Sequence, residues 1–366
     1  MSCSWSILPQ TQNLNRLIRQ VFNSTTGESE QNSGQASDVK VLFEQLAEVA
    51  KAGQQEIFQA LVAAERQKPD EEVTLLIAAV MENQLEVVNA FITAGSDVNT
   101  RIKLTDGQFE FTALFYAVRN ASLPIVETLL RAGANPKWSD PFPSFAPIFQ
   151  AIEQSNTALV QLLIQYGATV VFRSNLEPLF NAAGSDNPEI IRLLLDAGCD
   201  IDARRTRDSA LKRACQYGNL KVIKLLLESG ASLSSSGDEI GTAFLSPVYV
   251  ESMTDCSEQK ARAIEKVPAA IQLLLGAGVD PNVKTWNGTP LILAIAHGYV
   301  EVVQNLLAAG ADPNLQSRFD YEETIPLHHA AKLGQREMVQ TLIEAGADIA
   351  ATDHQDKTAT AIAVAV

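Results

Sequence analysis

Residues 288–314 read GTPLILAIAHGYVEVVQNLLAAGADPN, and this stretch is one complete structural unit. Thr289 has the residue type and place of a helix N-cap. Pro290 follows at the first helical position, where its missing N–H costs nothing. Leu291, Ala294 and Ile295 give the first short helix an apolar face. Gly298 ends that helix by accepting a left-handed conformation that a side chain resists. Val302, Val303, Leu306 and Leu307 form one broad apolar stripe on a second helix. Gly310 closes it, and Ala311–Asp312–Pro313–Asn314 turns the chain away. Two helices this short cannot bury both faces alone, so the unit has to stack on others like it.

The others are present. Aligned on the closing glycine, the chain has Gly95, Gly133, Gly167, Gly198, Gly230, Gly278, Gly310 and Gly346, at intervals of 38, 34, 31, 32, 48, 32 and 36 residues. Sixteen positions earlier stand Ala79, Ala117, Ala151, Ala182, Ala214, Ala294 and Ala330, small residues where two helix backbones approach. A period near 33 residues with a Thr-Pro-Leu-His start, most complete at Thr289–Leu291 and Pro326–His328, resembles the ankyrin-repeat family over roughly residues 73–366. The resemblance implies an all-α solenoid of stacked helix-turn-helix units with turn or hairpin tips, about eight full repeats and terminal caps.

In order, 1–37 reads as a disordered tail in which Leu14–Phe22 has the spacing of a short amphipathic helix. Residues 38–72 read as an N-terminal helical cap, with Asp38 as N-cap, Gly53 as breaker, and Ile57, Phe58, Leu61 and Val62 on its second helix. Repeats follow near 73–100, 111–137, 145–171, 176–203, 208–233, 241–282, 288–314 and 324–350, with a partial one at 357–366. The third and fourth keep Pro147 and Pro178 but lack the threonine cap. The sixth carries about 15 extra residues around 251–266. That polar stretch is expected to form a surface loop or a short extra helix. The last residues, TATAIAVAV, form an apolar helix with no outer helix after it. Either that helix is itself the cap, or the chain is a fragment, or a partner covers it.

Composition narrows the function classes. A formal charge of −15 argues against a nucleic-acid or anionic-membrane binder. Four cysteines without CxxC spacing read as reduced thiols of an intracellular protein, cytoplasmic or nuclear. No apolar run reaches the length of a membrane span, and no signal peptide is evident. No HExxH, spaced Cys/His set, calcium loop or GxSxG elbow occurs, so no catalytic residue, metal or cofactor is expected. His328 matches the family's Thr-Pro-Leu-His histidine, which implies a bond to backbone rather than to substrate.

Binding remains. Stacked units are expected to line one concave surface with turn tips and with the exposed side of the inner helices. Expected inner-helix contacts are Tyr116, Arg119, Gln150, Asn181, Arg213, Tyr217 and His329. Expected tip contacts are Trp138, Phe142, Arg204, Arg205, Arg207, Trp286, Phe319 and Tyr321, aromatic and arginine types that dominate binding hot spots. The tryptophans also fit a packing role beneath the tips. The Arg204–Arg205–Arg207 cluster reads either as a solvated basic loop or as a contact for an acidic or phosphorylated partner. The function expected is a non-catalytic scaffold or adaptor, monomeric on its own. The alternatives are a transcriptional co-regulator lacking a DNA-binding domain, and a substrate-recognition or regulatory subunit of an enzyme encoded elsewhere.

Overall fold

The computed structural model describes residues 33–66, 74–103, 110–137, 146–172, 178–205, 208–233, 241, 243, 257–285, 288–319, 322–353 and 355–365. The chain divides into two compact units, Met1–Phe172 and Arg173–Val366.

In the first unit, α1 (Ser33–Lys51) and α2 (Gln55–Arg66) are separated by a turn at Gly53, whose φ is +71°, and both pack on the outer helix of the first repeat. The helix begins at Ser33 rather than at the Asp38 cap. No proline lies between Ser33 and Ser37, so nothing forces the chain out of helical dihedrals ahead of Asp38. Phe43, Phe58, Leu61 and Val62 are buried, and Phe58 meets Phe91 of the first repeat edge-on at 5.0 Å. Three helix pairs follow: α3 (Leu75–Met81) with α4 (Leu85–Thr93), α5 (Ala113–Arg119) with α6 (Leu123–Arg131), and α7 (Pro147–Glu153) with α8 (Thr157–Gln165). Between α4 and α5 an antiparallel hairpin forms from β1 (Ile102–Lys103) and β2 (Glu110–Phe111).

The second unit repeats the plan. It contains α9 (Pro178–Ala183) and α10 (Pro188–Asp196), the hairpin β3 (Arg204–Arg205) with β4 (Asp208–Ser209), and α11 (Ala210–Tyr217) with α12 (Leu220–Glu228). Then come α13 (Ser257–Gly276), α14 (Pro290–Ala296) with α15 (Val300–Ala308), and the hairpin β5 (Ser317–Phe319) with β6 (Glu322–Thr324). The unit closes with α16 (Pro326–Lys332), α17 (Arg336–Glu344) and α18 (Ala359–Ala365). Within each unit, inner helices pack on inner and outer on outer, as α3 on α5 on α7, or α14 on α16 on α18.

The local grammar of residues 288–314 holds in detail. Thr289 Oγ1 accepts the Ile292 N–H at 3.4 Å, and Pro290 opens the helix. Gly298 and Gly310 have φ of +76° and +93°. Val302, Val303 and Leu306 are buried, while Leu307 is half-buried. All seven aligned alanines, from Ala79 to Ala330, are 0% exposed. Any larger side chain there would push adjacent helices apart.

Side-chain amides tie four of the repeats to the one before. Asn120 Nδ2 donates to the Val80 carbonyl at 3.2 Å, Gln154 Nε2 to Val118 at 3.0 Å, Asn219 Nδ2 to Ala183 at 2.9 Å, and Gln335 Nε2 to Ile295 at 2.9 Å. They satisfy carbonyls left over at the ends of inner helices. In the turns, Asn282 Nδ2 donates to the Gly310 carbonyl and its Oδ1 accepts the Asp312 N–H; Asn314 bridges to Gly346 and Asp348 in the same way.

The sixth repeat departs from expectation. The extra residues from 257 onward form neither a loop nor a separate helix, because α13 is one helix of 20 residues with Pro268 inside it. Pro268 lies ten residues before Gly278, as Pro188 lies ten before Gly198, and Pro188 opens its helix. Residues 251–256 fall outside the described residues. The last described helix, α18, packs on α16, and Val364 is 89% exposed.

Candidate partner-binding surface

The residue just before each of the seven buried alanines occupies an equivalent place on its inner helix: Ala78, Tyr116 and Gln150 in the first unit, and Asn181, Arg213, Leu293 and His329 in the second. Their surroundings differ because the hairpins differ. In the first unit, Phe111 on β2 lies over α5, with ring centroids 4.4 Å from Phe115 and 6.1 Å from Tyr116. Tyr116 is therefore 6% exposed, a buried residue rather than the exposed contact expected. Burial pushes its phenol pKa up, against a smaller downward pull from Arg119. Arg119 is exposed, and Gln150 is half-buried with Nε2 3.3 Å from Glu153 Oε2. Trp138 and Phe142 lie outside the described residues.

His329 in the second unit is corrected in the same sense. It is 9% exposed, its ring lies 4.9 Å from Phe319 on β5, and its Nε2 is buried without a hydrogen bond. Burial lowers its pKa, and Lys332 lowers it further while Glu322 works the other way. Lys332 and Glu322 form an ion pair at 2.8 Å beside it. Phe319 is half-buried, and Tyr321 and Trp286 lie outside the described residues. His328 behaves as the family resemblance implies, with Nε2 3.0 Å from the Ala351 carbonyl of the following turn.

The basic segment places Arg204 and Arg205 on β3, in register with Ser209 and Asp208; Arg207 is outside the described residues. Asp208 holds Lys212 at 2.7 Å. Arg213 and Tyr217, both half-buried, sit one helical turn apart on α11. The Arg213 guanidinium carbon is 4.5 Å from the Tyr217 ring centroid and 5.1 Å from that of Phe180 on the preceding inner helix. Its Nη1 donates to Gln216 Oε1 at 3.2 Å, and half-buried Asn181 lies on the same helix as Phe180. Phe180 was absent from the sequence-derived set. The Arg213–Tyr217 spacing was the available signal, but the second ring comes from another repeat.

Seven polar side chains are buried among the described residues: Ser209, Asn219, Thr285, Thr289, Ser317, His328 and His329. Six of them are hydrogen-bonded to the chain's own backbone, as caps, turn bonds or bonds to a neighbouring repeat. Among the described residues, no group of three His, Cys, Asp or Glu is placed to hold a metal, and no helix is long and apolar enough to cross a membrane. Cys199 and Cys215 are buried and form no disulfide.

A protein-family model described as ankyrin repeats matches the chain in three copies, over residues 46–140, 146–236 and 261–353. The first copy opens inside α1. Among curated proteins, the chain is 29% identical to a zebrafish protein with a provisional palmitoyltransferase name, ZDHHC13, over 49% of this chain and 28% of that protein. It is 30% identical to human ankyrin repeat and SOCS box protein 6, over 43% of this chain and 40% of that one. The chain thus spans less than half the length of either relative. The crystal structure of the human ASB11 ankyrin repeat domain is similar at 21% identity and a TM-score of 0.37, covering 69% of this chain and 92% of that one.

Proposed function

The chain belongs to the ankyrin-repeat family, and from that premise we propose that it is a non-catalytic scaffold or adaptor binding a partner protein through the exposed inner-helix faces and hairpin tips of its repeats. One observation carries the non-catalytic part. Among the described residues, six of the seven buried polar side chains are bonded to the scaffold's own backbone, so they build the stack rather than a reactive centre. The outer helices carry exposed ion pairs within a single helix, Arg131 with Glu127, Arg192 with Glu189 and Lys224 with Glu228, which are solvated and contribute little. The inner face of the fifth repeat instead sets a charged group against aromatic rings, Arg213 beside Tyr217 and Phe180, residue types that interface cores favour.

Affinity capture from native cell extract tests this, with the wild-type chain beside Arg119→Glu, Lys332→Glu and the outer-helix control Lys224→Glu. The expected result is a partner held by the wild type and the control and lost with at least one inner-face variant. A partner lost with the control but retained by both inner-face variants would overturn the assignment of the surface.

A second reading is a recognition subunit serving an enzyme encoded elsewhere. Its support is the relative whose name couples ankyrin repeats to a further element, a SOCS box. Capture of an enzyme whose substrate contacts the inner face would favour it over a plain adaptor.

A further inference from the structure

We propose that the fifth repeat anchors a carboxylate of its partner on Arg213, so that the partner segment crossing α9 and α11 is rich in aspartate and glutamate. The inference rests on the interaction reading above and adds where the partner binds and with what chemistry.

Charge is the first support. The chain carries −15 overall, yet residues 204–213 hold five basic residues, Arg204, Arg205, Arg207, Lys212 and Arg213, against Asp208 alone. An acidic protein that concentrates positive charge in ten residues offers an acidic partner one attractive approach and repels it elsewhere. Lys212 is already engaged by Asp208 at 2.7 Å. The β3–β4 hairpin carrying Arg204 and Arg205 leads directly into α11 through the Ser209 cap, whose hydroxyl accepts the Lys212 N–H at 3.2 Å. Hairpin and helix are therefore consecutive in the chain.

Pre-organisation is the second support. A free arginine side chain loses considerable rotamer freedom when it captures an anion, and that loss weakens binding. At Arg213 the loss is taken during folding. Tyr217 and Phe180 lie within cation–π range of the guanidinium at 4.5 and 5.1 Å, and Gln216 holds Nη1. Ring contacts engage the π face of a guanidinium, whereas carboxylate recognition uses its in-plane N–H groups, so the two are compatible. Gly184 follows α9, and a Cβ there would stand in ordinary van der Waals contact with Arg213 Nε at 3.6 Å and Tyr217 Cε2 at 3.7 Å. The two rings come from successive repeats, so the anchor exists only when α9 and α11 are stacked.

The roles of the basic residues then separate. Arg204, Arg205 and Arg207 supply long-range attraction, which sets the association rate and weakens with salt. Arg213 supplies a planar, oriented donor, which sets the dissociation rate. Lysine cannot replace it, because an ammonium has neither the fork nor the stacking plane.

The test is a fluorescence-anisotropy titration of the full chain with a labelled hexaglutamate peptide, beside hexaglutamine and a phosphoserine hexapeptide. Hexaglutamate binding to the wild type is expected to be lost with hexaglutamine and to weaken about tenfold in Arg213→Lys, at an unchanged melting temperature. Replacing Arg204, Arg205 and Arg207 together by Ser leaves the sequence of α9 and α11 unchanged, so it keeps the test open if Arg213 variants fold poorly. It is expected to slow association and flatten the salt dependence. Hexaglutamate affinity within twofold of wild type in a folded Arg213→Lys would overturn the anchor, leaving diffuse charge. Equal binding of hexaglutamine would remove charge from the account. Binding of the phosphoserine peptide alone would replace carboxylate by phosphate as the ligand. Failure of all three peptides while native partner capture succeeds would sink this anchor and leave the interaction reading standing; failure of both would sink both.

Discussion

Asn219→Leu tests the idea that buried amides hold successive repeats together. Asn219 is buried, and its Nδ2 donates to the Ala183 carbonyl at 2.9 Å. Ala183 is 0% exposed and closes α9, so its carbonyl has no later turn to bond to and no water beside it. Leucine has the same number of side-chain heavy atoms and the same branching, so no cavity is left, although its methyls are bulkier than the amide atoms. What is lost is a hydrogen bond worth about 1 kcal/mol net, plus the penalty of a buried acceptor left alone, about 1–3 kcal/mol. These overlap, and about 2 kcal/mol is the expected cost, roughly a thirtyfold shift in local opening. Because repeats couple mainly to their neighbours, the effect should stay local. Amide hydrogen exchange is the assay. Protection should fall about thirtyfold in α9, α11 and α12, and by less than about twofold in α16 and α17. Unchanged protection in α9 would show that the amide bond contributes nothing to stacking, and uniform loss across the second unit would refute local coupling.

Gly310→Val should destabilise the seventh repeat by about 1–2 kcal/mol through backbone strain alone, since φ is +93° and an added Cβ meets nothing within 4 Å; a melting temperature equal to wild type would count against the left-handed assignment. His329 has a pKa lowered in the fold from its ordinary 6.5, first by burial and then by Lys332. Its neutral form therefore contributes stability above pH 6.5 that is lost as pH falls through 6.5 toward the folded value. Urea midpoints should drop on acidification across that window and drop less in His329→Phe, with His297, also lowered by burial, accounting for part of the remainder. Pro268 interrupts the backbone bonding of α13, so Pro268→Ala should raise helicity by circular dichroism and raise the melting temperature; no change in either would mean that the helix in solution begins at Pro268.

The fold was legible because its determinants are local and repeated. Gly298 and Gly310 announce left-handed helix ends wherever they occur, Thr289 and Pro290 announce a helix start, and Ala294 marks the contact between helices. A pattern seen eight times leaves one architecture. The start of α1 at Ser33 and the unbroken α13 were less legible, since caps and prolines bias a helix end without compelling it.

The candidate site was legible only in part. Tyr116 and His329 occupy the same aligned position as Arg213, and one position in a repeat suggests one exposure. What buries two of them is a hairpin: Phe111 over Tyr116, Phe319 beside His329. Hairpin length and register vary from repeat to repeat, so alignment carries no information about them. The pairing of Arg213 with Phe180 is likewise a contact between repeats, set by how α9 stacks on α11. By itself, then, the sequence determined the repeat, its caps and its small-residue seam, because each depends on residues a few positions apart. Tertiary structure alone decided which inner-face side chains are covered and which arginine is held between rings, because those depend on the distance between neighbouring repeats.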